Sequence, residues 1–348
     1  MRVSAFCRDA LGLCAAIALL AGCGGSQRNS PQPALGQIPE GLVDTRMSDA
    51  ALTGVVASRP DRGPSWMSPD VASKDLLYVS NYITSDVFVF SYPALKLVGT
   101  LTGFDQPDGI CTNKAGDVFI VSNQNDTIIV YKHGGTAPIA TLNDPAGYPV
   151  NCSVDPTTGN LAVATIHTYS DGPGSVAVYA HGKGTPTIYS DPKMTNVYFV
   201  GYDDKGNLFL DGATPPSIGF VFAELAKGKK TFTTIKLRGG YIYFPGKVFW
   251  DGKYVTVADQ SYGGTLDTTG INRTTGAGGK IVSSIPLQGS GDIVDLWIYN
   301  GIVIAPDFQD GPENKVLFYK YPAGGKPTSI LKNHSFYETI GAAISVPQ

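Results

Sequence analysis

Charge is scarce in this chain. Of 348 residues, 26 are Lys or Arg and 29 are Asp or Glu, 16% in all, with a net charge of −3. The basic residues form no cluster along the sequence, which argues against nucleic acid as a partner, because neutralising phosphates needs a Lys/Arg surface. The same scarcity argues against polybasic attachment to anionic lipid. Histidine is rarer, with four copies, and His133, His181 and His334 fall in turn-like segments where solvation is the expected state. A Ser/His/Asp triad would need a nucleophile elbow such as GxSxG, which is absent. The Gly-rich run Gly276 to Gly279 before Lys280 lacks the spacing of a phosphate-binding loop and reads as a hairpin turn. The five cysteines include no CxxC or Cys/His spacing that would suggest a metal. Long apolar runs are missing too: Ala10 to Ala21 is the longest, too short to span a bilayer. What abounds is 42 Gly, 24 Pro, 18 Tyr and 15 Phe, the composition of many short strands joined by tight turns.

Arg2 and Arg8, then the apolar run, then Leu20-Ala21-Gly22-Cys23 follow the order of a signal peptide. The tetrapeptide resembles the lipobox of bacterial lipoproteins. That resemblance implies cleavage before Cys23, diacylglyceryl transfer to its thiol and acylation of the new amino terminus. Residues 1–22 would be the signal peptide, and the protein would sit outside the cytoplasm, anchored in the bacterial cell envelope. Gly24, in place of Asp after the cysteine, implies the outer membrane if the cell is Gram-negative. Residues 23–62, rich in Gly, Ser, Pro and Gln, read as a flexible tether. Cleavage leaves Cys111 and Cys152 in an oxidising compartment, either as a disulfide or as two plain buried cysteines.

After the tether a repeat sets the fold class. The segment Pro107 to Leu142 contains four apolar runs separated by turn residues. Its second run, DVFIVSN from Asp117, recurs from Asp75, Asn160, Asn207, Lys253 and Gly301, at spacings of about 42 to 48 residues, the period of a four-stranded propeller blade. Its third run, TIIVYKH, recurs as DVFVFSYP, SVAVYAH, IGFVFAE, GKIVSSI and KVLFYKYP. Residues 63–348 are therefore predicted to be an all-β, six-bladed β-propeller of four-stranded blades. Thr339 to Val346 reads as the inner strand of the first blade, which would close the ring by pairing chain ends; Ser65 to Pro69 competes for that slot. Through the recurring P-x-G at the inner strand and the Gly-Asp or Gly-Asn before the second, the repeat resembles NHL-type and related secreted six-bladed propellers.

In such a blade, second-to-third loops and blade-to-blade connections share one face, here called the first face. The longest loops fall there, including 166–175, 259–280 and 307–315. At the ends of the second strands Asn81, Asn123, Asp259 and Asp307 recur, with His167 and Asp211 one or two positions off. Such a ring at the channel mouth could hold Ca²⁺ or another divalent cation through oxygen ligands, bind a polar ligand, or simply cap turns. Resemblance to lactonase-like propellers implies a metal-dependent hydrolase with His167 or Asp211 as base, although no Glu falls at a comparable position. Tyr148, Tyr169, Tyr241, Tyr262 and Phe308, with Phe104 and Phe244, offer rings for a glycan or an envelope protein, or else cover the blade ends. The expected function is ligand or partner binding by a monomeric, membrane-tethered propeller; the alternatives are a lactonase-like hydrolase and a non-catalytic scaffold.

Overall fold

A computed structural model describes residues 63–167, 173–214, 219–264, 268–308 and 314–348. Cys23, read from the sequence as a lipid-attachment site, and Tyr169 lie outside the described residues. Six antiparallel sheets follow one another as blades. Blade 2 is the plainest: Pro107–Thr112, Val118–Ser122, Thr127–Tyr131 and Pro138–Asn143, paired in chain order from the axis outward. Second strands such as Val118–Ser122 and Val255–Asp259 are buried at every position. Both faces of a blade pack against neighbours, so these strands read as continuous apolar runs and not as an in–out alternation. The outermost strands, such as Pro138–Asn143, are largely exposed.

The ring closes as the repeat predicts. Thr339–Ser345 pairs with Asp75–Asn81 as the inner strand of blade 1, with Leu76 opposite Ser345 and Asn81 opposite Thr339. The competing segment goes elsewhere: Trp66–Met67 pairs with Lys96–Leu101 as a fifth, outermost strand. Blade 5 corrects the sequence reading. Its third strand is Thr269–Thr274, and Ile281–Leu287, read as the third, is the fourth. The sequence TGINRT escaped notice because its polar side chains are engaged inside the fold: Arg273 pairs with Asp251 at 2.9 Å, and Asn272 is buried. The Gly276 to Gly279 run is thereby moved to the opposite face as the third-to-fourth turn.

The turns between first and second strands share one device. Asn113, Asp155, Asp203 and Asp251 each accept a hydrogen bond from the backbone N–H two residues on, through Ala115, Thr157, Lys205 and Lys253, the Asx geometry that makes Asn and Asp turn formers. His133, in a third-to-fourth turn, is half-buried with Nδ1 2.7 Å from Ser345 Oγ, and burial lowers its pKa. Around the axis the inner strands approach closely. A Cβ on Gly341 would stand 2.4 Å from the Asp108 carbonyl oxygen, and one on Gly109 would stand 2.8 Å from Asn151 Nδ2. Gly109, the glycine of Pro-Asp-Gly, is therefore a packing requirement between blades. Cys111 and Cys152, on the inner strands of blades 2 and 3, are joined as a disulfide with Cα atoms 5.7 Å apart.

Candidate functional site

The polar residues ending the second strands serve as clasps. Asn81 Oδ1 accepts the Tyr337 N–H at 2.7 Å and its Nδ2 donates to the Ser335 carbonyl at 3.0 Å, tying down the connection into blade 1. Asn123 Nδ2 donates to the Pro149 carbonyl at 3.0 Å, in the next blade. Asp211 accepts the N–H groups of Phe199 and Gly246, both at 3.1 Å. Asp259 accepts those of Tyr243, Phe244 and Ser261, and Asp307 those of Gly291 and Asp292, with Lys315 Nζ 3.0 Å away. All five are buried. The four residues offered as ligands to one ion thus bond four separate connections. Among the described residues no three His, Cys, Asp or Glu side chains are grouped as a metal centre.

The polar groups that do converge lie on inner-strand segments. Asp108 in blade 2, Asn151 in blade 3, Lys247 leading into blade 5 and Asp295 leading into blade 6 are 3%, 0%, 2% and 0% exposed. Lys247 Nζ stands 3.0 Å from Asp295 Oδ1, and Asn151 Nδ2 donates to Asp295 Oδ2 at 3.3 Å. Asn151 Oδ1 accepts the Val200 N–H at 3.3 Å, carrying the network into blade 4. Burial, then the charge of nearby Asp295, hold the Asp108 carboxyl well above the usual carboxylate range. Tyr82, Val150, Val294 and Ile340 belong to one buried apolar cluster. Trp297, on the inner strand of blade 6, packs against clusters that include the cores of blades 1, 2 and 3, with its ring centroid 5.1 Å from Phe249. The converging polar groups are thus buried and bonded to one another.

Asp108 also sets a pH dependence. It stays protonated in the folded chain where the unfolded chain ionises, so its stabilisation is complete below the unfolded value near 4 and is lost as the pH rises toward the folded value. Asp211, raised mainly by burial, acts in the same sense. The urea midpoint is expected to fall between about pH 5 and about pH 8, with Asp108→Asn flattening the slope by up to ~1.4 kcal/mol per pH unit. An unchanged slope in Asp108→Asn would exclude this assignment.

These inner-strand groups escaped the sequence reading, which searched only the ends of the second strands. The available signal was a polar residue inside otherwise apolar inner-strand segments: the Asp of PDGIC, the Asn of PVNCS, the Lys of PGKVF and the Asp of IVDLW.

The first-face aromatics divide in two. Phe308 and Phe104, 8% and 3% exposed, are core residues, contrary to their reading as binding rings. They cover blade ends because the chain turns inward there. Tyr148, Tyr241, Tyr243, Phe244 and Tyr262 stay partly or wholly accessible. Tyr148 and His167 form a ring pair with centroids 5.0 Å apart, Tyr241 and Tyr243 stand 6.5 Å apart, and Phe244 stands 5.9 Å from Tyr198. The Tyr262 ring lies over Gly270, where a Cβ would come within 2.1 Å of it. Tyr148 holds a left-handed backbone, φ 44°, costly for an aromatic residue, with its N–H donating to Asp126 Oδ1 at 2.9 Å.

No family model matches the chain, and no curated protein matches it. Solved structures do. A chain from a nidogen/laminin complex superposes with a TM-score of 0.62 at 11% identity, covering 79% of this chain and 99% of its own length. A protein of unknown function from Bacteroides caccae superposes with a TM-score of 0.56 at 13% identity, covering 78% and 99%. At such identities the likeness establishes the fold: this chain is a six-bladed β-propeller.

Proposed function

We propose that this chain is a lipid-anchored, extracytoplasmic propeller that holds a protein of the bacterial cell envelope on its first face, without catalysis. The reading rests on one observation: Tyr148, fixed in a left-handed conformation by Asp126, presents its ring beside His167 at the surface. Strained conformations persist where the surroundings over-determine them, and rigid, part-exposed aromatics are the side chains that anchor partners at low entropic cost. Tyr241, 43% exposed, extends the same face toward blade 5. A chain of this fold was solved within a complex, consistent with a binding role. The lactonase-like reading is kept second because Asn81, Asn123, Asp259 and Asp307 each bond a blade connection, and the anchor at Cys23 follows from the lipobox resemblance alone.

A photo-crosslinking residue at position 241 is expected to give discrete protein adducts in cells that Tyr148→Ala abolishes, with none from the rim position 139. Identical patterns from both positions would overturn the first-face reading, and soluble envelope glycans competing the adducts away would reassign the partner to carbohydrate. Labelled fatty acid should enter the chain and be lost in Cys23→Ser.

A further inference from the structure

The face opposite the aromatics collects the turns from first to second and from third to fourth strand. Contacts between neighbouring blades confirm that these turns share a surface: Lys227 Nζ donates to Thr157 Oγ1 at 2.8 Å, and His133 meets Ser345. Every blade places an exposed lysine there, namely Lys96, Lys114, Lys183, Lys205, Lys253 and Lys326 in blades 1 to 6. Blade 4 adds the Lys-Gly-Lys-Lys run of residues 227–230. The acids of these turns do not cancel that charge outward. Asp155, Asp203 and Asp251 point their carboxylates at backbone N–H groups of their own turns, and Asp117 is paired with Lys132 at 2.7 Å. Asp204 is the exposed acid left in these turns, and Asp70, on the segment beside the His133–Gly134 turn, is paired with Lys74. A chain of net charge −3, whose sequence with no basic cluster argues against polybasic attachment, thus carries a basic face once the ring gathers its turns.

We propose that this lysine face lies on an anionic lipid surface, leaving the aromatic face turned toward solvent. The turns are short, so the face suits a plane better than a groove. Its turn cations are lysines, compact and strongly hydrated point charges, and the arginines beside the turns are engaged, Arg238 with the Gly278 carbonyl at 2.6 Å and Arg273 with Asp251 at 2.9 Å. Tyr254 and Tyr321 are stacked by Arg273, whose guanidinium carbon is 4.5 and 5.7 Å from their centroids, and Tyr92 and Tyr299 pair edge to face at 5.9 Å. Each lysine close to an anionic membrane strengthens binding roughly fivefold. A polybasic face and a single-site lipid anchor are the two-signal arrangement that gives firm attachment. The proposal does not depend on the anchor.

The test uses the mature chain with Cys23→Ser, so that no acyl chain contributes. Cosedimentation with vesicles of phosphatidylcholine containing about a third phosphatidylglycerol is expected at low salt, to be released at high salt, and to be absent with pure phosphatidylcholine. Lys114→Glu/Lys183→Glu should weaken it on the order of 100-fold or more, whereas Lys193→Glu/Lys332→Glu, the same charge change on first-face connections, should retain most of it. Equal loss in the two double variants, equal binding to both vesicle types, or salt-sensitive binding to a DNA oligonucleotide with none to vesicles would overturn the proposal.

Discussion

Lys247→Met is expected to cost about 3–5 kcal/mol of unfolding free energy, the penalty for stranding a buried charge. Asp295 is 0% exposed, its Oδ1 faces Lys247 Nζ at 3.0 Å, and Asn151 supplies a neutral donor at 3.3 Å. Without the ammonium, the carboxylate must protonate or stay ionised near Asp108 in a dry core. The loss should therefore be smaller at about pH 5 than at about pH 8, because protonating Asp295 removes the stranded charge. The double variant Lys247→Met/Asp295→Leu is expected to recover most of the loss, since replacing both members of a buried pair by apolar groups is often neutral. Urea unfolding of the single and double variants at both pH values decides it. A single variant within about 1 kcal/mol of the parent would mean that water reaches Asp295 and that the channel is not sealed.

Cys111→Ala/Cys152→Ala is expected to lower stability by about 4 kcal/mol, from the loop-closure entropy of a cross-link spanning 41 residues. At this size that corresponds to a melting temperature lower by on the order of 8 °C. Both cysteines are buried, so the alanine pair adds a modest packing loss of the same sign. Reduction of the parent protein should reproduce the shift, and the double variant should then be insensitive to reductant. A parent whose melting is unmoved by reductant under unfolding conditions would show that the bond is not formed in the isolated protein.

Much of the fold was legible because a propeller repeats its chemistry. DLLYVSN, DVFIVSN and NLAVATI recur at blade spacing since each must fill the same slot between two neighbours, and the position of Thr339 to Val346 showed which strand lacked a partner. The repeat failed at TGINRT, where Arg273 and Asn272 are buried or paired and apolar content no longer marks a strand. The ends of the second strands are polar positions, and in the structure Asn81, Asp259 and Asp307 accept backbone N–H groups of the connections.

The sequence by itself determined the blade count and the recurring second strands, because these depend on local apolar runs and turn residues that recur at a fixed period; tertiary structure assigned the third and fourth strands of blade 5 and chose Thr339–Ser345 over Trp66–Met67 as the closing strand. Tertiary structure decided where charge and polarity gather. Asp108, Asn151, Lys247 and Asp295 stand far apart in the chain and meet in the channel only because four inner-strand segments converge there. The lysines are spread at turn intervals through a weakly charged sequence, so no window of it reads as basic. Alternating turns place them on one side of the disc while the aromatic loops emerge on the other. A linear pattern records the spacing of side chains along the chain, whereas a face is defined by which ends of the strands point the same way once the ring has closed.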